Sequence, residues 1–206
     1  MASFNGQDGA GEQTNRRRRR TGDDSLNETL NRQSGTLFRR FILETIHEED
    51  PQAPLGPEDV GSTKNEIDEP AIKEICKSLK KIGDELNRNV ELQHVIETVP
   101  VEHIRDVLYK VAEGLLVADG LNWGRIVTFF YFAGKLVAKV LKNLRSMIQP
   151  IINWSLDLIQ TRVIPWIEQQ GGWEMIFSYF GTPTWQTFAV FSAGLITSIL
   201  ALMRLT

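Results

Sequence analysis

Histidine and cysteine are the residue types that most readily hold a metal or attack a substrate, and this chain spaces them for neither. His47, His94 and His103 are scattered, with no cysteine or carboxylate at metal-ligand spacing. Cys76 is the single cysteine and has no histidine near it, which marks a structural thiol rather than a nucleophile. No glycine-rich phosphate loop occurs. The reading is therefore not an enzyme, with no metal and no cofactor, and one cysteine permits no internal disulfide. The spacing that carries chemistry here is that of recognition. Ile75, Leu79, Ile82 and Leu86 recur at intervals of four, three and four, an apolar stripe on one helix face. Gly83 and Asp84 sit beside it. A glycine inside a helix costs about 1 kcal/mol relative to alanine, so Gly83 predicts a close approach to the backbone. Such a helix is either one more core helix or a ligand for a groove.

Those residues need helices to position them. Helix formers dominate and period-two β-branched stretches are few, so the fold class is all-α. A first helix is predicted over residues 27–47, with Leu30, Leu37, Phe38, Phe41, Ile42 and Ile46 on one face. Pro70 suits the first position of the helix bearing the 75–86 stripe. A short helix over 92–99 stops at Pro100. The next, over 101–118, aligns Ile104, Val107, Leu108, Val111, Leu115 and Leu116 and ends at Asp119-Gly120. Residues 122–141 open with Asn122-Trp123-Gly124-Arg125 and are then apolar on nearly all sides, as a buried central helix must be. Thr128, Tyr131, Lys135, Lys139 and Lys142 form one polar stripe on it, expected to reach the surface. Residues 146–160 add a second apolar helix, and the pair makes a hairpin. Two short helices over 162–180 join at Gly171-Gly172, with Trp166, Trp173, Phe177, Tyr179 and Phe180 as anchors.

The remaining stretches are of other kinds. Residues 1–25 are polar and small and include five arginines at 16–20, so disorder is expected there. The arginines could meet acidic lipid or nucleic acid, or remain a solvated tail offset by Asp23 and Asp24. A formal net charge of −3 gives no general attraction to nucleic acid. Residues 48–70 hold four prolines and many acids and read as a flexible loop. No charged residue occurs from Met175 to Met203. A helix over 183–203 would be roughly 30 Å long, which matches the hydrocarbon core of a bilayer. Thr184, Trp185, Phe188, Phe191, Gly194 and Ser198 lie on it, and it could anchor in a membrane or dock in a protein groove. The division is a disordered tail over 1–25, a bundle over 26–181, and a C-terminal transmembrane or groove-docking helix over 182–206.

Four segments in order carry a resemblance. LKKIGDEL, residues 79–86, looks like a BH3 motif, with Leu79, Gly83 and Asp84 at its key places. LNWGRIV, residues 121–127, looks like BH1, with Asn122, Trp123, Gly124 and Arg125 intact. WIEQQGGWEMIFSYF, residues 166–180, looks like BH2, with Trp166, Gly171, Gly172 and Trp173. FGTPTWQTF, residues 180–188, precedes the apolar tail. The chain thus resembles the Bcl-2 family of apoptosis regulators, and within it the Bax branch. Its departures are the arginine run, the 48–70 loop, and Arg204 where the tail usually bears two lysines.

The resemblance implies a bundle of eight to nine helices around a central apolar helix, with a C-terminal tail-anchor helix. It implies a groove that receives an amphipathic helix, the mode for which this family is a standing example. Ile75, Leu79, Ile82 and Leu86 would be the anchors, and Asp84 would pair with a groove arginine, here Arg125. Implied partners are BH3-containing proteins, anti-apoptotic relatives, further copies of itself, and lipid of the mitochondrial outer membrane, with no nucleic acid. The implied role is that of a pro-apoptotic effector, cytosolic when inactive and on the mitochondrial outer membrane when active. A BH3 helix would release its tail, and the copies would then dimerise BH3-into-groove and permeabilise that membrane. Tyr131, Lys135 and Lys139 would face the membrane on the released hairpin. The alternative is an anti-apoptotic groove protein that captures BH3 helices without forming pores.

Overall fold

Asn122 starts the helix on which the others rest, because its side chain accepts the Arg125 N–H at 3.0 Å and so caps the first turn. The computed structural model describes residues 9–117 and 120–180, with side chains for 25–117 and 120–179. Its helices are α1 (Gly9–Glu49), α2 (Lys64–Ile67), α3 (Pro70–Asn87), α4 (Val90–Thr98), α5 (Ile104–Leu115), α6 (Trp123–Leu141), α7 (Ile148–Leu158), α8 (Ile164–Gln170) and α9 (Ile176–Phe180). Among the described residues the fold is all-α, and no helix is long and apolar enough to cross a membrane. The C-terminal helix expected over 182–206, with Thr184, Trp185, Phe188, Phe191, Gly194 and Ser198, lies outside the described residues.

The central element is α6, which packs against α1, α3, α4, α5 and α7. Phe129, Phe130, Phe132, Leu136 and Val137 are fully buried on it. The polar stripe departs from expectation. Thr128 and Tyr131 are buried, and only Lys142 is exposed, with Lys135 and Lys139 half-buried. The reason is that the inner hydroxyls are satisfied within the bundle. Thr128 donates to Gly124 O at 2.8 Å. The Tyr131 hydroxyl donates to Asn87 Oδ1 at 2.8 Å and accepts from Gln93 Nε2, and burial pushes its pKa well above the ordinary phenol value.

Two further stretches differ from the sequence reading. The backbone of residues 9–25, expected to be disordered, continues α1 as helix, and arginine is a good helix former. The 48–70 segment is not a flexible loop. Ala53, Leu55, Val60 and Ile67 are buried, so apolar residues spaced among the prolines pin it to the bundle. Arg39 Nε donates to Val60 O at 3.0 Å, Arg40 donates to Ile67 O at 2.6 Å, and Gln149 donates to Asp59 O at 2.7 Å. Arg145 pairs with Asp59 at 3.0 Å. Thr63 and Glu66 form a reciprocal capping box at the start of α2.

That segment carries an acid-sensitive contact. The Thr63 backbone N–H and hydroxyl, then the Ser62 hydroxyl, hold the Glu66 carboxyl below its ordinary value against a smaller opposing effect of burial. A bond to Lys73, opposed by burial, does the same for Asp68, with help from the charges of Lys73, Arg40 and Lys64. Both folded values are depressed, so their stabilisation is present above the ordinary carboxylate range and is lost as pH falls through the folded values. The protection factor of the Glu66 amide should therefore fall below about pH 4 while α6 amides stay protected. Unchanged Glu66 protection down to the pH of global unfolding would show that the carboxylates do not hold α2.

Candidate functional site

The four anchors Ile75, Leu79, Ile82 and Leu86 are each 0–1% exposed, so α3 spends its apolar stripe on the bundle itself. It lies against α1 and α6. Cys76 is buried on this face and points its thiol at Glu44 Oε2, 3.4 Å away. Burial first, and the Glu44 carboxylate second, push that thiol well up, which keeps it un-ionised and inert. Along the rim, Lys80 pairs with Glu48, Lys73 with Asp68 at 3.1 Å, and Arg40 with Glu44 at 2.5 Å. Of these pairs only Lys80–Glu48 joins α3 to α1, and partly exposed pairs of this kind fix register more than they add strength. Asp84 stands on the exposed side of α3.

At Gly83 α3 comes close to a neighbouring helix, as a helical glycine predicts. A Cβ placed there would stand 3.2 Å from Phe41 Cζ. Phe41 is 1% exposed and is backed by Phe130 at a centroid distance of 5.9 Å, so its ring has little room to retreat. Gly83→Ala gains helix propensity and meets this contact, whereas Gly83→Val adds branches that overpack it. The valine variant should lose about 1–3 kcal/mol in denaturant unfolding. A loss under about 0.5 kcal/mol would mean that the contact relaxes freely.

The BH1 and BH2 residues form one aromatic chain. Trp123 contacts Trp166 edge-on at 5.1 Å and Trp173 at 5.7 Å. Trp173 is completely buried, lies 5.9 Å from Phe130, and donates its indole N–H to Ser34 Oγ at 2.8 Å. Phe130 then meets Phe38 at 4.9 Å and Phe41 at 5.9 Å. A continuous run of rings thus joins Trp166 to the ring under Gly83. Gly171 (φ +96°) ends α8 in the left-handed region, with Gly172 N–H bonded to Ile167 O and Gly171 N–H to Glu168 O. This double bond pattern closes the helix and turns the chain so that Trp173 points inward. Gln33 Nε2 and Glu174 Oε1, 3.1 Å apart, tie the same turn to α1. Phe177 was expected as an anchor and is 43% exposed; the buried residue next to it is Ile176.

Arg125 is half-buried at the start of α6, its backbone N–H used by the Asn122 cap. Lys135 and Lys139 are engaged with protein rather than free. Lys135 pairs with Glu49, and Lys139 donates to the α4 carbonyls Ile96 O, at 3.3 Å, and Glu97 O. Both line a cleft of about 350 Å³ where α1 and α6 meet α4, and no BH1 residue lines it. In this conformation Tyr131, Lys135 and Lys139 therefore belong to the bundle's interior and seams.

Sequence reasoning missed Ser34, Phe41, Phe130, Asn87 and Gln93 as supports of the motifs. Ser34 had a legible signal, since it is a small polar residue three and four positions before Leu37 and Phe38 on an apolar face. Asn87 and Gln93 had none, because nothing local marks a partner 44 or 38 residues away.

The family model for apoptosis regulator proteins of the Bcl-2 family matches residues 79–173, a span that begins at Leu79 and ends at Trp173. The apoptosis regulator BAX of Bos taurus is 38% identical over 199 residues, covering 96% of this chain and 98% of the relative. Bcl-2-like protein 1 of Gallus gallus is 42% identical over 67 residues, covering 32% of this chain and 29% of the relative. Among solved structures, that of chicken BOK superposes with a TM-score of 0.60 at 19% identity, covering 74% of this chain and 97% of the other, a likeness of fold. With these residues assembled on one bundle and 96% of its length aligned to a relative at 38% identity, the chain belongs to the Bcl-2 family of apoptosis regulators.

Proposed function

We propose that the protein is a Bax-like effector. The observation that carries this is the extent of the two alignments. Likeness to BAX runs over 98% of the relative, whereas likeness to Bcl-2-like protein 1 is confined to 67 residues. A shared part of the fold would explain the second; the first takes in 96% of this chain. On this reading the partners are BH3 helices, further copies of the chain and the lipid of the mitochondrial outer membrane, and the resting protein is cytosolic. A BH3 helix engages the groove, the C-terminal segment leaves it, and α3 exchanges its contacts with α1 and α6 for the groove of a second copy. The α6–α7 hairpin then leaves the bundle, and Tyr131, Lys135 and Lys139 trade Asn87, Glu49 and the α4 carbonyls for a lipid–water boundary.

The test is dye release from vesicles of mitochondrial lipid composition, with and without a BH3 peptide. Release that requires the peptide is the expected result. Tight peptide binding with no release, and protection against a known effector, would instead establish the anti-apoptotic alternative.

A further inference from the structure

We infer that the five arginines at 16–20 are an electrostatic docking segment for an anionic membrane surface, carried on the N-terminal part of α1. The first buried residue of α1 is Leu30, at 4% exposure. Residues 25–29 are all exposed. Five consecutive helical positions span more than a full turn, so no face of α1 packs on the bundle there. The backbone continues as helix to Gly9, which sets the arginines roughly 15–20 Å of helix axis beyond Leu30. Consecutive residues step by about 100°, so five in a row ring the helix. Helix positions all round the axis are then arginine, as suits a diffuse layer of charge rather than one shaped ligand.

Charge balance makes this run decisive. The chain carries −3, and without the five arginines it would carry −8, a charge that an anionic surface repels. Even with Asp23 and Asp24 counted, residues 16–24 keep a net +3. Clusters of basic residues on a helix are drawn to acidic lipid, and stable attachment generally takes two signals. The uncharged 183–203 stretch is the other signal, and the choice of partner rests to that extent on the function proposed above. A single-stranded nucleic acid is the weaker fit, because residues 9–24 contain no aromatic residue on which a base could stack.

The experiment is vesicle flotation of the full chain, of R16Q/R17Q/R18Q/R19Q/R20Q, and of the same positions changed to lysine. Each is also examined with residues 184–206 deleted. Vesicles are neutral phosphatidylcholine or contain about 20% acidic phospholipid, at about 50 mM and 500 mM salt. The expected result at low salt is partitioning to acidic vesicles that exceeds neutral ones by ten-fold or more, roughly 100-fold at most. It should be lost in the glutamine variant and at high salt, and kept with lysine. Glutamine keeps helix propensity, and circular dichroism checks the fold of each variant. Unchanged binding of the glutamine variant, or loss of binding in the lysine variant, would overturn the proposal. So would arginine-dependent binding to RNA stronger than to vesicles. Because the tail-deleted pair isolates the arginines and flotation needs no pore, failure here is distinct from failure of dye release.

Discussion

Trp173→Ala is expected to lower the stability of the bundle by about 3–5 kcal/mol, which for a domain of this size is a fall in Tm of roughly 6–20 °C. The magnitude follows from position. The side chain is 0% exposed, and it is the ring through which Trp123 and Phe130 touch a common neighbour. Removing it opens a cavity bounded by two rigid rings and by α1, none of which can collapse into it without shifting a helix. It also leaves the Ser34 hydroxyl without the indole donor. Ser34→Ala separates these effects, since it removes the hydroxyl alone and leaves the buried indole N–H unpaired, at a cost of about 1–3 kcal/mol. Trp166→Ala provides a second comparison. Trp166 is only half-buried at the end of the chain of rings, so its loss should be clearly smaller. Chemical denaturation of the three variants decides the matter. Equal losses for Trp166 and Trp173 would mean that the aromatic chain is not anchored where its burial indicates.

Asp84→Arg should act in the opposite way, leaving the monomer intact and removing assembly. Asp84 is exposed on α3, and arginine has the better helix propensity, so the folded monomer should change by no more than about 0.5 kcal/mol. The nearby charge it supplies to Lys80 is one of several, with Glu48 and Glu44 contributing more. In the proposed dimer the same position meets Arg125 of a second copy. A guanidinium in place of the carboxylate turns an attraction into a like-charge contact within a partly desolvated groove. Losing one partner of such a pair costs about 2–5 kcal/mol, so peptide-triggered dye release should fall by thirty-fold or more. Cross-linking on vesicles should show monomers. Arg125→Asp in the same chain restores a complementary pair and should recover part of the assembly. Full release by the single variant would disprove the Asp84–Arg125 pairing, while a destabilised monomer would show that Asp84 has a resting-state role that its exposure does not suggest.

Much of the fold was legible along the chain because its signals are local. The Asn122 cap, Pro70 at the head of α3, the break at Pro100 and the glycine stop at Gly171 each act within a few residues. The same holds for the 3.6-residue stripes on α1, α3 and α5, whose apolar positions are the ones found buried. Motif order was equally local, and it was enough to assign the family before any packing was known. Gly83 announced a close contact but not its partner, because Phe41 lies 42 positions earlier and no pattern along the chain links the two.

What the tertiary structure alone decided is the fate of polar groups and of irregular chain. A stripe of Thr128, Tyr131, Lys135, Lys139 and Lys142 looks solvent-facing on one helix. Thr128 is satisfied within its own helix by Gly124 O, but burial of Tyr131 required Asn87 and Gln93 from other elements. Proline and acid content made 48–70 look flexible, yet Arg39, Arg40, Arg145 and Gln149 on α1 and beside or within α7 bind its carbonyls and carboxylates. The sequence by itself determined the helices, their caps, the apolar faces and the family, since those depend on neighbours within a turn or two. The structure decided which polar residues go inside, because the hydrogen bonds that permit it, such as Trp173 to Ser34 across 139 positions, exist only once the helices have packed.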